Sequence, residues 1–116
     1  MLRALLVYRE KPMYFCVMDQ VEIFKALSNK TRMQILEWLK DPELHFPPSE
    51  RDVKEVGVCV GEIQKKVNLT QSTVSEYLSL LQRNGLVEST RIGQWTYYKR
   101  NEQTLNEFKA LINKEL

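Results

Sequence analysis

Short hydroxyl and amide side chains cluster in one stretch of the chain, residues 70–79, between apolar positions. The Gln71 amide can form two hydrogen bonds with the edge of adenine, and the Glu76 carboxylate can accept one from the amino group of cytosine or repel phosphate. Neighbouring hydroxyls can bond base edges or phosphate oxygens but carry little sequence information. The residues that we predict to contact a DNA duplex are Thr70, Gln71, Ser72, Thr73, Ser75 and Glu76.

A second group of candidate contacts surrounds Gly93. Arg91 and Gln94 flank this glycine, and an arginine near a hairpin tip can reach phosphate or the minor groove. Lys99 and Arg100 follow shortly afterwards and add positive charge to the same region. Weaker candidates for backbone contacts are Lys65 and Lys66.

The sequence lacks the residues that usually carry out catalysis or bind a metal. The one histidine, His45, lies in a proline-rich stretch, and there is no phosphate-binding glycine motif or metal-hydrolase spacing. We therefore expect neither an enzyme nor a resident metal or cofactor. The two cysteines, Cys16 and Cys59, are too few for a secreted disulfide framework. Together they can bind an arsenite-like species or form a redox disulfide; alternatively, Cys59 is a small buried residue and Cys16 belongs to a loose arm.

One domain is the expectation for 116 residues. Asp19 followed by Glu22 forms a capping box, which predicts that the domain spans residues 19–116 and that residues 1–18 are an extension or arm. The first helix begins at this capping box. Its predicted apolar face is Val21, Phe24 and Leu27.

A second helix is predicted from Lys30 to about Lys40, with Asn29 as its N-cap. Its apolar side chains recur at helical spacing: Met33, Leu36 and Leu39, with Ile35 and Trp38 widening the stripe. Three of the four prolines fall in residues 41–57, which predicts a long loop that is either mobile or functional.

Residues 60–84 have the pattern of a helix-turn-helix. One helix is predicted over 60–67 and, after a three-residue turn, a second over 71–84, with Thr70 as its N-cap and Gly85 as the left-handed residue that ends it. The predicted buried stripe of the second helix is Val74, Leu78 and Leu81. The polar side chains described above then occupy the opposite face, where a DNA-reading helix presents them; the plainer interpretation is a solvated helix face.

After Gly85 the spacing of the apolar side chains changes from the helical period to one typical of β-strands. Residues 86–92 and 95–100 are rich in β-branched and aromatic side chains and flank a Gly93–Gln94 turn, so residues 86–100 are predicted to form a hairpin, the wing. Asn101 caps a last helix. Its apolar side is Leu105, Phe108, Leu111 and Ile112. The predicted fold is mainly α with a small β-hairpin, an α+β winged helix-turn-helix in the order α-α-α-α-β-β-α.

Charge is distributed unevenly along the chain. Residues 41–57 hold two cations against five carboxylates, whereas residues 60–100 hold six cations against three carboxylates. The positive half contains the predicted DNA contacts, although chance scatter explains the charge difference equally well. No apolar run approaches the length of a membrane span and the N-terminus lacks a full signal-peptide core, which favours the cytoplasm.

Three segments resemble the ArsR/SmtB family of arsenical-resistance repressors. They read ALSNKTRMQILEWL (26–39), LTQSTVSEYLSLLQRNGLV (69–87) and TRIGQWTYYK (90–99). The resemblance covers about residues 19–115, and the loop 41–57 is longer than is usual in this family. It implies a winged-helix homodimer that binds a palindromic operator in double-stranded DNA and releases it when an inducer binds.

The resemblance also implies roles for particular elements. The segment 70–76 corresponds to the DNA-reading helix, and Arg91 and Gln94 fall in the wing. The first and last helices form the dimer interface in this family. We therefore expect a partner subunit to cover the apolar side of the last helix, namely Leu105, Phe108 and Ile112; the alternative is that this helix packs wholly within its own domain.

The sensing site of the family is incomplete in this sequence. Many members carry a C-x-C pair at the start of the third helix; Cys59 matches the first cysteine, and Gly61 stands in place of the second. One thiolate is a poor soft-metal site. A second family site uses carboxylates and histidines on the last helix, which has no histidine or aspartate here. The inducer is therefore not identified.

The alternative function is a winged helix that binds a protein without operator binding. Glu76 and the modest net charge of +2 fit that alternative. Salt-sensitive duplex binding would distinguish the two functions, because neutralising phosphates makes affinity fall steeply with salt. An activator fits the same residues as a repressor.

Overall fold

The structure, a computed structural model, describes residues 17–116. The elements in chain order are α1 (Val17–Leu27), α2 (Lys30–Lys40), α3 (Pro42–His45), β1 (Val58–Cys59), α4 (Val60–Val67), α5 (Gln71–Arg83), β2 (Val87–Ile92), β3 (Trp95–Arg100) and α6 (Glu102–Glu115). This order confirms the winged helix-turn-helix and adds α3 and β1 to it. None of the described helices is both long and apolar enough to cross a membrane.

The predicted helix caps are confirmed at three helices. The side-chain oxygen of Asn29 accepts from the Arg32 N–H at 2.9 Å, and that of Asn101 accepts from the Thr104 N–H at 3.1 Å. Thr70 caps α5. Each cap satisfies one of the N–H groups that a helix start leaves without an intrahelical partner.

The predicted start of α1 is wrong by two residues. The helix begins at Val17, so Asp19 lies within its first turn rather than at the N-cap. Acidic residues are common both at the N-cap and in the first turn of helices, so the sequence pattern does not separate these two positions. Most of the predicted extension, residues 1–16, lies outside the described residues.

The buried face of α1 differs from the predicted one, whereas the predicted face of α2 is confirmed except at Met33. Ile23 and Ala26 are the core residues of α1, whereas Val21 is 40% and Phe24 is 43% exposed. In α2 Met33 is 50% exposed. The buried side chains there are Ile35, Leu36 and Leu39. Each helix carries two overlapping apolar stripes, and periodicity alone does not say which of them faces the domain.

Residues 41–57 are more ordered than the predicted loop. Pro42 starts the single turn of α3, a position where its missing N–H costs no hydrogen bond, and the Phe46 N–H donates to its carbonyl at 3.0 Å. The segment is followed directly by β1, a two-residue strand that the sequence did not predict. Phe46 is buried, and Val53 packs against the core.

The wing is part of a three-stranded antiparallel sheet in the order β1-β3-β2. Val58 pairs with Tyr98 and Cys59 with Tyr97, while Ile92 pairs with Trp95 across the predicted Gly93–Gln94 turn. Gly93 has a φ of 64°, the left-handed conformation that the tight turn requires. Strand β2 starts one residue later than predicted, at Val87.

The last helix packs on its own domain more closely than predicted. Leu105 and Phe108 are buried within the chain, and the Phe108 ring meets Phe24 edge to face with 5.1 Å between ring centroids. The expectation that these two side chains need a partner surface is therefore wrong. Ile112 is only partly buried against the core.

Gly57 is predicted to be indispensable for stability. Its φ is +109°, and an added Cβ would lie 2.5 Å from the Tyr98 carbonyl oxygen. The change Gly57→Ala should therefore lower the free energy of unfolding by about 1–3 kcal/mol or more. Urea unfolding at a fixed protein concentration measures this free energy.

Gly61→Ala is the matched control for that substitution. Gly61 lies in the first turn of α4, and a Cβ there has nothing within 4 Å. It should raise stability by up to about 1 kcal/mol, because alanine loses less backbone entropy in a helix than glycine does. Equal unfolding midpoints for both variants would contradict the assigned backbone geometry.

Candidate nucleic-acid interface

Helix α5 buries one face and exposes the opposite one. Val74, Leu78 and Leu81 are almost completely buried in the core. The side chains exposed on the other face include four of the predicted contacts: Gln71, Ser72, Ser75 and Glu76. The packing of the apolar stripe therefore turns the polar residues outward together.

The hydroxyls of Thr70 and Thr73 are engaged at the start of α5. Thr70 Oγ1 accepts from the Thr73 N–H at 3.3 Å and donates to Thr73 Oγ1 at 2.8 Å, and Ser72 Oγ lies 3.4 Å from Thr70 Oγ1. Gln71 and Ser75 have no side-chain hydrogen bond to any residue in the described part of the chain. The two threonines thus build the helix start, and the neighbouring polar side chains keep their hydrogen-bonding groups available.

The turn before α5 is held in a single conformation by Asn68. This residue is left-handed, with a φ of 61° and a ψ of 43°, and its N–H donates to the Gln64 carbonyl at 2.9 Å. Asparagine adopts this conformation more readily than most residues. The short turn sets α5 at a fixed angle to α4, the arrangement that places a reading helix in the major groove.

At the wing, Arg91 and Gln94 are exposed near the tip. The Arg91 guanidinium donates through Nε to the Gly93 carbonyl at 3.3 Å, which holds the side chain along the hairpin end. Trp95 is 51% exposed directly after the turn, and sequence reasoning did not select it. An aromatic residue next to a polar hairpin tip was the signal that could have identified it.

Several cations near the wing serve the fold instead. The Lys99 ammonium donates to the Glu55 carbonyl at 2.8 Å. The Arg100 side chain is only 8% exposed, and it forms an ion pair with Glu102 at 2.8 Å and donates to the Leu36 carbonyl at 3.2 Å. Arg100 is therefore not part of an exposed basic wing surface, whereas Lys99 keeps its charge there but is tied to the Glu55 carbonyl.

The two lysines of α4 also have partners. Lys65 lies 3.6 Å from the Glu62 carboxylate, and the Lys66 ammonium lies 5.0 Å from the centroid of the Trp38 ring. Both lysines stay exposed, so they remain candidates for contacts with the DNA backbone beside Arg91.

Cys59 lies where β1 meets α4, at the N-cap position of that helix, and is half-buried. A shallow cavity of about 380 Å³ beside it is lined by Cys59, Gly61, Glu62, Lys65, Trp95 and Tyr97. Cys16, the other predicted thiol, lies outside the described residues. Within residues 17–116 no group of three or more His, Cys, Asp or Glu side chains is arranged to hold a metal ion.

Tyr98 lies on β3 opposite Val58, one residue after Tyr97, which pairs with Cys59. Burial raises the pKa of the Tyr98 phenol above its ordinary value. The phenol therefore stays neutral throughout the physiological pH range.

Comparisons with known proteins agree with this geometry. Residues 57–89 match the family described as bacterial regulatory protein, arsR family. The chain is 48% identical over 100 residues to the uncharacterized HTH-type transcriptional regulator YbzH of Bacillus subtilis, covering 85% of this chain and 100% of that protein. It is 34% identical over 92 residues to the transcriptional activator HlyU of Vibrio cholerae, covering 79% of this chain and 69% of that protein.

A solved structure shows the same architecture. It is the homodimeric winged helix-turn-helix DNA-binding domain of a possible ArsR-family regulator from Mycobacterium bovis. The two folds superpose with a TM-score of 0.58 and 29% sequence identity, covering 82% of this chain and 77% of that chain.

Proposed function

The chain belongs to the arsR family of bacterial regulatory proteins and is a DNA-binding transcriptional regulator, and we propose that it is a homodimeric repressor of a palindromic operator. The observation that carries the proposal is the outward polar face of α5, opposite a fully buried stripe. An inducer of unassigned chemistry releases the DNA. A cytoplasmic location is part of the same proposal, because the DNA that a bacterial regulator binds lies in the cytoplasm.

The proposed base contacts come from the first two turns of α5. Gln71 is the main candidate, since its exposed amide can pair with adenine through two hydrogen bonds. Ser72 and Ser75 bond base edges or phosphates, and Glu76 accepts from a cytosine amino group. Thr70 and Thr73 contribute by holding the helix start, whose free N–H groups and positive dipole end favour phosphate.

The wing adds a second contact to each half-site. We propose that Arg91 binds phosphate or the minor groove beside the reading helix and that Gln94 assists it from the tip. Both lie on the part of the hairpin that extends beyond β1.

Dimerisation is supported by the apolar surface that α1, α2 and α6 leave uncovered. Phe24 and Met33 are about half exposed. A groove of about 600 Å³ runs between α2 and α6, and the apolar side chains in its lining that stay exposed or partly exposed are Leu27, Met33 and Ile112. A second copy covering this surface would set two reading helices one DNA turn apart, at a spacing of ~34–36 Å, so the operator is expected to be palindromic.

Whether the chain represses or activates, and which inducer it senses, are questions separate from DNA binding. The Vibrio relative is named an activator, so repression in this chain has to be measured at its own promoter. Cys59 is the candidate sensor thiol within the described residues. Because Gly61 replaces the second thiol of the pair, a C-x-C metal site is not proposed.

Replacing the two leading polar residues of α5 tests the assignment of the reading helix. Gln71→Ala combined with Ser72→Ala should weaken operator binding by about 1–3 kcal/mol per lost base contact and relax sequence preference. Fluorescence anisotropy with a labelled operator and a scrambled duplex measures both effects. Ser79→Ala is the matched control, because it removes the same exposed hydroxyl two turns further along α5. Equal affinity of the double variant and the wild type would refute the assignment.

Substitution of two arginines separates wing contact from fold stability. Arg91→Ala should weaken binding to all sequences and lower the slope of log affinity against log salt by about one, if the guanidinium neutralises one phosphate. Arg100→Ala should leave that slope unchanged but lower the free energy of unfolding, since it removes a partly exposed ion pair with Glu102 and the hydrogen bond to the Leu36 carbonyl of α2. The reverse pattern would show that the two roles are exchanged.

A further inference from the structure

The wing changes from three strands to two at Tyr97. Strand β1 pairs with β3 only at Tyr97 and Tyr98. Beyond that point the hairpin consists of β2 and β3 alone, and it carries Arg91 and Gln94. A two-stranded hairpin has little stability of its own. Whatever fixes Tyr97 therefore fixes the direction in which the DNA-binding end of the wing projects.

Residues 51–57, which we call the clasp, contact β3 on both sides of Tyr98. Arg51 Nε donates to the Tyr97 hydroxyl at 3.2 Å, and the Arg51 guanidinium carbon lies 5.7 Å from the centroid of the same ring. Lys99 donates back to the clasp through the Glu55 carbonyl. At its end, Gly57 lies so close to the Tyr98 carbonyl that no side chain fits between them.

The clasp is itself firmly folded. The N–H groups of Glu55 and Val56 both donate to the Asp52 carbonyl, at 3.1 and 2.8 Å, and the Gly57 N–H donates to the Val53 carbonyl at 3.0 Å. Val53 packs against the core. The clasp can therefore transmit the position of the core to the wing.

We propose that Arg51 is a positioning residue for DNA binding: it acts through Tyr97 to aim the wing and makes no contact with DNA. The inference rests on the proposed operator binding and deepens it. Arg51 lies in the segment 41–57, which holds three of the four prolines, so the proposal gives that segment a role. Its Nε is committed to the Tyr97 hydroxyl and its guanidinium carbon lies over the Tyr97 ring, so the side chain is held against β3 and not at the hairpin end that carries Arg91.

A double-mutant cycle with Arg91 tests the proposal on the full chain. The probe is a fluorescein-labelled duplex from the upstream region that the wild type binds. Arg51→Ala should weaken binding by about threefold to tenfold, the effect of losing one cation–π contact and one hydrogen bond. In the Arg91→Ala background the same change should have almost no further effect, because the wing contact that Arg51 positions is already gone.

Two variants serve as controls for charge and folding. Lys54→Ala removes a cation from the same clasp; Lys54 pairs with Glu43 and does not touch the wing, so binding should not change. Tyr97→Phe removes only the hydroxyl that accepts from Arg51, and it should weaken binding in the same direction but less. Urea unfolding midpoints of Arg51→Ala and Tyr97→Phe should fall only by what the loss of these contacts accounts for, so the variants stay fully folded in the binding assay.

The possible outcomes separate this inference from the proposed function. If the wild type binds no duplex better than random DNA, operator binding fails and the inference fails with it. If the wild type binds but Arg51→Ala binds equally well, only the inference is overturned. It is also overturned if the Arg51 and Arg91 losses multiply independently, since that result means a direct contact by Arg51, or if Arg91→Ala leaves binding unchanged.

Discussion

The burial of a single apolar stripe on α5 controls the rest of this structure. Val74, Leu78 and Leu81 are almost completely buried, and their packing fixes the rotation of the helix about its own axis. The polar side chains at its start must then face outward. Rotation by one residue would bury a glutamine or serine without a hydrogen-bond partner, which costs free energy, so core packing and the proposed recognition surface are specified together.

Positive charge near the wing is divided between two tasks. Lys99, Arg100 and Arg51 use their cations to join the sheet to the clasp, to α2 and to α6, which leaves Arg91 available at the exposed end. A hairpin that projects from a small domain needs such fastening, because two strands alone do not hold a direction. This division explains how a chain with a net charge of only +2 can still present a directed cation to DNA.

Local hydrogen bonds made much of this fold predictable. The caps at Asn29, Thr70 and Asn101 and the turn at Gly93 each depend on residues close in sequence, so their residue types suffice to place them. Strand β1 was not predicted, because two residues are too few to show a strand pattern. What makes them a strand is their pairing with β3, about forty positions away.

Side-chain partners were predictable only where packing was unambiguous. The exposed polar face of α5 followed from periodicity, because the helix has a single apolar stripe. The buried face of α1 did not, since Ile23 and Phe24 lie on overlapping stripes and tertiary packing selects one. Arg100 resembled a DNA-binding cation in sequence because its partner on α2, the Leu36 carbonyl, is a main-chain atom that no residue type reveals.

The central claim is that the exposed face of α5 reads a specific duplex, and one titration of the wild-type protein tests it most directly. Fluorescence anisotropy should be measured with duplexes tiling the upstream region, at several salt concentrations and with excess random competitor DNA. The account predicts a duplex whose binding survives competitor, falls steeply with salt and requires two symmetric half-sites. Binding that competitor abolishes equally for every duplex, or that does not respond to salt, would contradict it and favour a protein partner for the winged helix.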